Sequence, residues 1–322
     1  MIFGIIAIIL ILAAVGICLY CFNACFYSAN KGPHDPYGPL YGEQFIALKE
    51  QILACTKRME KVAYEPVEIK SFDGLTLCGR YYHTKDGAPI KIIFHGYRSF
   101  SLRDAAGGFC MAQKLGMNVL AVDMRAHGNS EGHVITFGIW ERRDCLSWIK
   151  YVNERFGKET PIVLSGLSMG AATVVMAATL PLPSNVACIL ADSPYSSPSE
   201  IIKQVCTDSH IPSGLAYPFI RAAARFLGGF NLEQCDAMMG AEVSSVPILL
   251  LHGEDDRLVP CSMSKQIDEA SENATTIVTF PDAGHGLSYL VHPEAYEKAV
   301  FDFLRKIPAL EEYILKNEEE AK

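Results

Sequence analysis

The chain has 322 residues, half of them hydrophobic, which suffices for one domain of roughly 250 residues with appendages and excludes a disordered or low-complexity protein. Lysine and arginine number 28 against 36 aspartates and glutamates, a mildly acidic balance without the basic stripe that a nucleic-acid partner requires. Eleven cysteines, an odd count without zinc-ligand or small-scaffold spacing, argue against a disulfide framework, and reduced thiols fit a cytosolic face or an anaerobic source.

The chain begins with an unbroken apolar run, Ile2 to Phe22, about the ~20 residues that a helix needs to cross a bilayer core. It lacks the positive leader, short apolar core and small-residue cleavage site of a signal peptide, so residues 1–22 read as a single transmembrane anchor. Lys31 is the first charged residue after it, which leaves the side of the membrane open. Cys18, Cys21 and Cys25 lie at the end of the run, where they serve as small apolar filler. Residues 23–41, with the glycines and prolines of KGPHDPYGPLYG, read as a linker, so the anchor is expected to be independent of the rest. In 42–62, Phe45, Leu48, Ile52 and Met59 recur at helical spacing and predict an amphipathic helix packed on the body of the protein.

From Pro66 onward strands alternate with helices. VEIKSFDGLTLCGRYY holds two alternating runs joined at Asp73-Gly74, a hairpin signal. Apolar runs follow at Ile90 to Phe94, Val119 to Val122, Ile162 to Leu164, Ala187 to Leu190, Ile248 to Leu251 and Thr276 to Phe280. Helix-like segments such as Trp140 to Phe156 lie between most of them, and Pro293 to Ile307 follows the last. The class is α/β: a mostly parallel eight-stranded sheet with helices on both faces and an antiparallel pair at its start. Ligands in such sheets bind at the carboxyl ends of the strands.

At one such end stands GLSMG, residues 166–170. A serine at a sharp strand-to-helix turn is lifted above the sheet, and Gly166 and Gly170 remove side chains that would clash there. Ser168 is the candidate nucleophile. A serine hydroxyl needs a histidine base, and the histidine needs an acid that fixes its tautomer. VPILLLHGEDDRLVP places Asp256 after a later strand, and TFPDAGHG places His285 after the last one. Asp192, in ILADSPYSS, is a rival for the acid, since it also ends a strand. An oxyanion would be met by the N–H of Met169 and a second N–H from the IIFHGYRSF loop, for which Tyr97 is the choice. His95 precedes the serine and reads as a loop-shaping residue.

HGYR at 95, DMRAHGNSEG at 123–132, GLSMG at 166, HGEDDRLVP at 252 and AGHG at 283 together resemble the ordered motifs of the α/β-hydrolase superfamily. They cover nearly everything from Pro66 to Ile307. Within it the chain is similar to membrane-anchored bacterial members of the dienelactone-hydrolase, serine-aminopeptidase-like and acyl-hydrolase branch. The resemblance implies an α/β-hydrolase domain at 63–310 with Ser168 as nucleophile, Asp256 as acid, His285 as base and Tyr97 and Met169 at the oxyanion hole. It also implies that Asp123 to Ser130 shape the site without being catalytic. Dienelactone hydrolases proper use a cysteine nucleophile, and the serine at 168 points to ester cleavage instead.

Residues 193–245 are too long for an ordinary connection and read as a helical cap insertion. Its YPFIRAAARFLGGF stretch offers an apolar face either to cover an acyl group or to pack on the sheet. Residues 311–322 read as a charged C-terminal tail. The expectation is a membrane-anchored serine hydrolase that cleaves small-molecule or lipid carboxylic esters through an acyl-enzyme, with no metal and no cofactor. A thioesterase or serine aminopeptidase would use the same triad. A non-catalytic receptor or scaffold of this fold would have no use for one.

Overall fold

Three strands are buried along their whole length, and they organise the molecule. In the computed structural model, which describes residues 2–29, 35–38 and 42–320, these are β3 (Ile90–Phe94), β4 (Asn118–Val122) and β7 (Ile248–Gly253). Continuous apolar strands of this kind need cover on both faces, which parallel crossovers supply. The remaining strands are β1 (Glu65–Lys70), β2 (Thr76–Tyr82), β5 (Ile162–Leu167), β6 (Val186–Asp192) and β8 (Thr275–Phe280). The described residues thus form an eight-stranded sheet in the order β1-β2-β4-β3-β5-β6-β7-β8. β1 pairs antiparallel with β2 and β2 antiparallel with β4, and every other pair is parallel.

In chain order the helices are α1 (Ile2–Cys25), α2 (Glu43–Ala47), α3 (Lys49–Glu60), α4 (Ser101–Lys114), α5 (Glu141–Phe156), α6 (Met169–Ala177), α7 (Pro198–Asp208), α8 (Ser213–Ala223), α9 (Ala237–Val243), α10 (Ser262–Ala270), α11 (Ser288–Val291), α12 (Pro293–Leu304) and α13 (Pro308–Glu320). A one-turn π-helix, Ala224–Gly228, continues α8. Strand alternation divides the core in two. Ile90, Ile92 and Phe94 of β3 pack with Trp148 and Ile149 of α5 and with α6, whereas Ile93 packs with α4, α12 and α13. The site therefore lies above a sheet clamped on both faces.

Two boundaries differ from the sequence reading. Helix α1 does not end at residue 22 in a free linker. It runs to Cys25, and Phe26 is fully buried, its ring edge-on to Phe230 at 5.2 Å and to Phe137 at 5.9 Å. Ser28 N donates to His133 O (2.8 Å) and Ile135 N to Phe26 O (2.8 Å) around a Tyr27–Val134 bridge. The junction is thus built into the core, and the expected independence of the first segment does not hold. The rest of the expected linker, at 30–34 and 39–41, lies outside the described residues. The apolar face of 193–245 packs inward: Ile220, Ala223, Ala224 and Phe230 join the α5–α6 side of the core. The charged tail is α13, whose Leu310 and Ile314 are fully buried and whose Tyr313 hydroxyl donates to Gly116 O (2.6 Å). Glu311 and Glu312 are exposed, and such charges obscured an amphipathic helix.

Candidate active site

Ser168 joins β5 to α6 with φ 55° and ψ −117°, a region that costs a non-glycine residue energy and persists only where surroundings enforce it. The enforcement is visible in the two glycines. A Cβ on Gly166 would stand 2.2 Å from Gly170 C, and a Cβ on Gly170 would stand 2.2 Å from Phe94 O. The turn is therefore tight enough that helix α6 begins directly over the end of β3. Ser168 N donates to Asp192 O (2.8 Å), which ties the turn to the next strand. Met169 opens α6, where the first N–H groups have no partner in a preceding turn.

His285 follows β8, and its Nδ1 lies 2.7 Å from Asp256 Oδ2. The carboxylate is fixed from several sides. Its Oδ1 accepts from Leu258 N (3.0 Å) and Val259 N (2.8 Å), and its Oδ2 also lies 3.2 Å from His252 Nε2. His252 Nε2 meets Val259 O (2.8 Å) as well, so it carries the proton, and Nδ1 accepts from the Ser264 hydroxyl (2.7 Å). Burial pushes the Asp256 carboxyl up, but hydrogen bonds from His252 and His285, the His285 charge and the Val259 N–H outweigh it and hold the pKa at about 2. An ionised Asp256 accepts from Nδ1–H and leaves Nε2 of His285 as the free basic nitrogen. His252 was missed in the sequence. Its only signal was its position four residues before Asp256 at the end of a strand.

Asp192 is occupied otherwise. It accepts from the Tyr296 hydroxyl (2.9 Å) and the Ser193 hydroxyl (3.0 Å), and burial raises its carboxyl pKa.

The loop after β3 is held by the DMRAHGNS segment. His95 Nδ1–H donates to Gly96 O (2.8 Å) and its Nε2 accepts from Met124 N (2.9 Å). His127 repeats the pattern, Nδ1–H to Arg125 O (2.8 Å) and Nε2 from Arg98 N (3.0 Å). Both rings thus serve as neutral backbone clamps. Asp123 accepts from Ser101 N (2.9 Å) and Asn129 N (3.0 Å). Arg125 is buried between Asp144 (2.6 and 2.7 Å) and Asp73 (3.0 and 3.1 Å), which fixes the segment to α5 and to the β1–β2 hairpin. Asp104 accepts the Gly96 N–H (2.9 Å), and a Cβ on Gly96 would lie 3.5 Å from Ser168 Cβ. Tyr97 therefore follows a backbone that passes against the serine.

Ser168, His285 and Tyr97 line one cavity of ≈570 Å³. It extends between the sheet and α4, with Phe45, Ile52 and Cys55 on its outer side. No described residue of 193–245 lines it. The cover over the chamber is α2–α3, and the cap helices lie against the other core.

The match to known proteins follows this geometry. Residues 92–299, well over half of the chain, match the model of the alpha/beta hydrolase family. The chain belongs to that family. Esterase Pf2001 of Pyrococcus furiosus superposes with a TM-score of 0.61 at 25% identity, covering 78% of this chain and 95% of that one. The uncharacterized protein YqkD of Bacillus subtilis is 24% identical over 77% of this chain and 80% of its own length. The lysophosphatidylserine lipase ABHD12 of Danio rerio is 26% identical over 51% of this chain, which spans 42% of that protein. The match to the alpha/beta hydrolase family begins within β3, so α1–α3 and the β1–β2 hairpin precede the matched residues.

Proposed function

We propose that this alpha/beta hydrolase is a serine esterase whose nucleophile is Ser168, with His285 as base and Asp256 as acid. The observation that carries the reading is the coincidence in one cavity of a serine at φ 55° and a histidine whose Nδ1 is held 2.7 Å from a buried carboxylate. Ser168 Oγ attacks the ester carbonyl carbon while His285 Nε2 takes its proton. The tetrahedral oxyanion accepts from the N–H groups of Tyr97 and Met169, each worth on the order of 3 kcal/mol in the transition state. Collapse expels the alcohol, which takes the proton from His285. Water then attacks the acyl-enzyme by the same route in reverse. The names of esterase Pf2001 and of the zebrafish lipase support esters, lipid esters included, over thioesters and peptides.

Helix α1 is the membrane anchor in this reading. Its 24 residues reach about 36 Å, against a hydrocarbon core of roughly 30 Å. Residues Ile2 to Ala13 are exposed without exception, an arrangement that water disfavours and lipid does not. The activity is tested with a panel of ester, thioester and aminoacyl-amide substrates, in which esters should be turned over fastest. A preference for the amides would transfer the reading to an aminopeptidase. The anchor is tested by alkaline carbonate extraction of membranes, and release into the supernatant would remove it.

A further inference from the structure

The cavity beside Ser168 holds a charge that the ester reaction does not use. Lys91, on β3 between Val119 and Val163 of its neighbours, is 3% exposed and lines the cavity. Its Nζ donates to Gly108 O at 3.3 Å and makes no ion pair among the described residues. An ammonium has three donors and keeps its charge in a buried site only against oxygen acceptors. Burial pushes its pKa down to about 8, and Cys188 and the Asp192 carboxyl, which lines the same cavity, act against that.

The wall opposite Lys91 is unusual. Helix α4 carries Gly107 and Gly108 in its interior, where glycine is a poor helix former. A Cβ on Gly108 would lie 3.2 Å from Ile93 Cδ1 and 3.6 Å from Lys91 Nζ, and one on Gly107 would lie 3.7 Å from Tyr289 Cδ1. The two glycines therefore let α4 approach Ile93, the ammonium and Tyr289 to contact distance. Between Ser168 and this end the lining includes Ile93, Met111, Leu190 and Val300. Asp104, which holds the loop beside Ser168, precedes Gly108 by four residues, about 6 Å along α4. The chamber is thus mostly apolar, with Ser168 past the carboxyl end of β5 and Lys91 three residues before the carboxyl end of β3, and its lining also carries Asp104 and Asp192.

We propose that this chamber receives the acyl chain of the substrate and that Lys91 binds a carboxylate at the far end of that chain, so that the preferred substrates are monoesters of dicarboxylic acids. The proposal rests on Ser168 being the nucleophile. An uncharged chain fills the chamber but offers the Lys91 ammonium no acceptor beyond Gly108 O, whereas a chain with a terminal carboxylate meets donors that are otherwise unused, and buried donors left unmet are what make such discrimination large.

The test uses the full chain in detergent micelles and compares kcat/KM for mono-p-nitrophenyl adipate with p-nitrophenyl hexanoate, and for the suberate with the octanoate. The wild-type protein is expected to favour the carboxylate member of at least one pair. Lys91→Met, which keeps the volume and removes the charge, should reduce that ratio by about tenfold or more, chiefly through KM. Free adipate or suberate should also inhibit the wild-type protein better than hexanoate or octanoate, a readout that does not depend on the variant folding. Equal ratios in wild type and variant, or no advantage of the diacids as inhibitors, would overturn the role of Lys91. Hydrolysis that survives Ser168→Ala would instead overturn the nucleophile reading, whatever the ratios.

Discussion

The Tyr97 hydroxyl donates to the carbonyl of Cys25 at 2.8 Å, joining the loop beside Ser168 to the last turn of the N-terminal helix. Arg98 reinforces the joint. Its Nη2 donates to Ala24 O (2.9 Å), Tyr27 O (3.2 Å) and Asn23 O (3.3 Å), so a cation caps the carbonyl end of α1. The Tyr97 ring also packs on Phe137 at 5.1 Å, which itself meets Phe26. Helix and active-site loop thus share one packed joint. Tyr97→Phe keeps the ring and removes the hydrogen bond, and should lower kcat by roughly fivefold, about 1 kcal/mol, with little change in fold. Steady-state kinetics in detergent check it, and an unchanged kcat would show that the loop stands without α1.

Phe26→Ala should destabilise the whole domain. The ring is fully buried against Phe137 and Phe230, so its removal leaves a cavity worth about 3–5 kcal/mol. Chemical denaturation of the full chain measures the change. A shift below about 1 kcal/mol would mean that the junction is not part of the core.

Much of this was legible in the sequence because it is local. GLSMG carries its own reason, since the two glycines are required by approaches of 2.2 Å within a few residues of Ser168 and to Phe94. Strand runs such as Val119 to Val122 and Ile248 to Leu251 announce themselves by continuous apolarity, and the structure sets them where the alternation with helices required. What was not legible depends on partners distant in the chain. Phe26 is one aromatic residue after an apolar run until Phe137 and Phe230 meet it. The face of 217–230 reads equally well as a lid or as packing, and only the placement of α2–α3 over the chamber separates the two. Lys91 interrupts a strand pattern as any edge lysine would, and its burial follows from β3 lying between β4 and β5.

Gly170→Ala should abolish activity together with folding of the turn. The added carbon would stand 2.2 Å from Phe94 O and 2.7 Å from His95 O, which are backbone atoms of the central strand and cannot move aside cheaply. Overpacking of this sort costs about 1–3 kcal/mol or more. A soluble, fully active Gly170→Ala would show that the turn is looser than described.

Asp256→Asn should reduce kcat by several orders of magnitude, on the scale of the roughly 10⁴-fold loss in serine proteases, because an amide no longer selects the Nδ1–H tautomer. Asp192→Asn should cost far less, since its partners are Tyr296 and Ser193. The same carboxylate sets an acid limit. The Asp256 pKa is held at about 2, below the ordinary ~3.9 of an unfolded aspartate, so its contribution to stability is complete above pH ~4 and is lost as pH falls toward 2. That contribution is roughly 2 kcal/mol. Acid unfolding of Asp256→Asn should therefore show a shallower dependence between pH ~4 and ~2 than the wild type, and identical curves would contradict the depressed pKa.

The central claim is that Ser168 is the nucleophile. A fluorophosphonate reacts only with a serine activated by a neighbouring base, and peptide mapping after labelling locates the adduct without knowledge of the substrate. One adduct is expected, on Ser168, and it should be lost in Ser168→Ala together with all ester turnover while the variant remains folded, with a loss approaching the roughly 10⁶-fold found for the nucleophile of subtilisin. An adduct on another residue, or ester turnover that persists in Ser168→Ala, would contradict it.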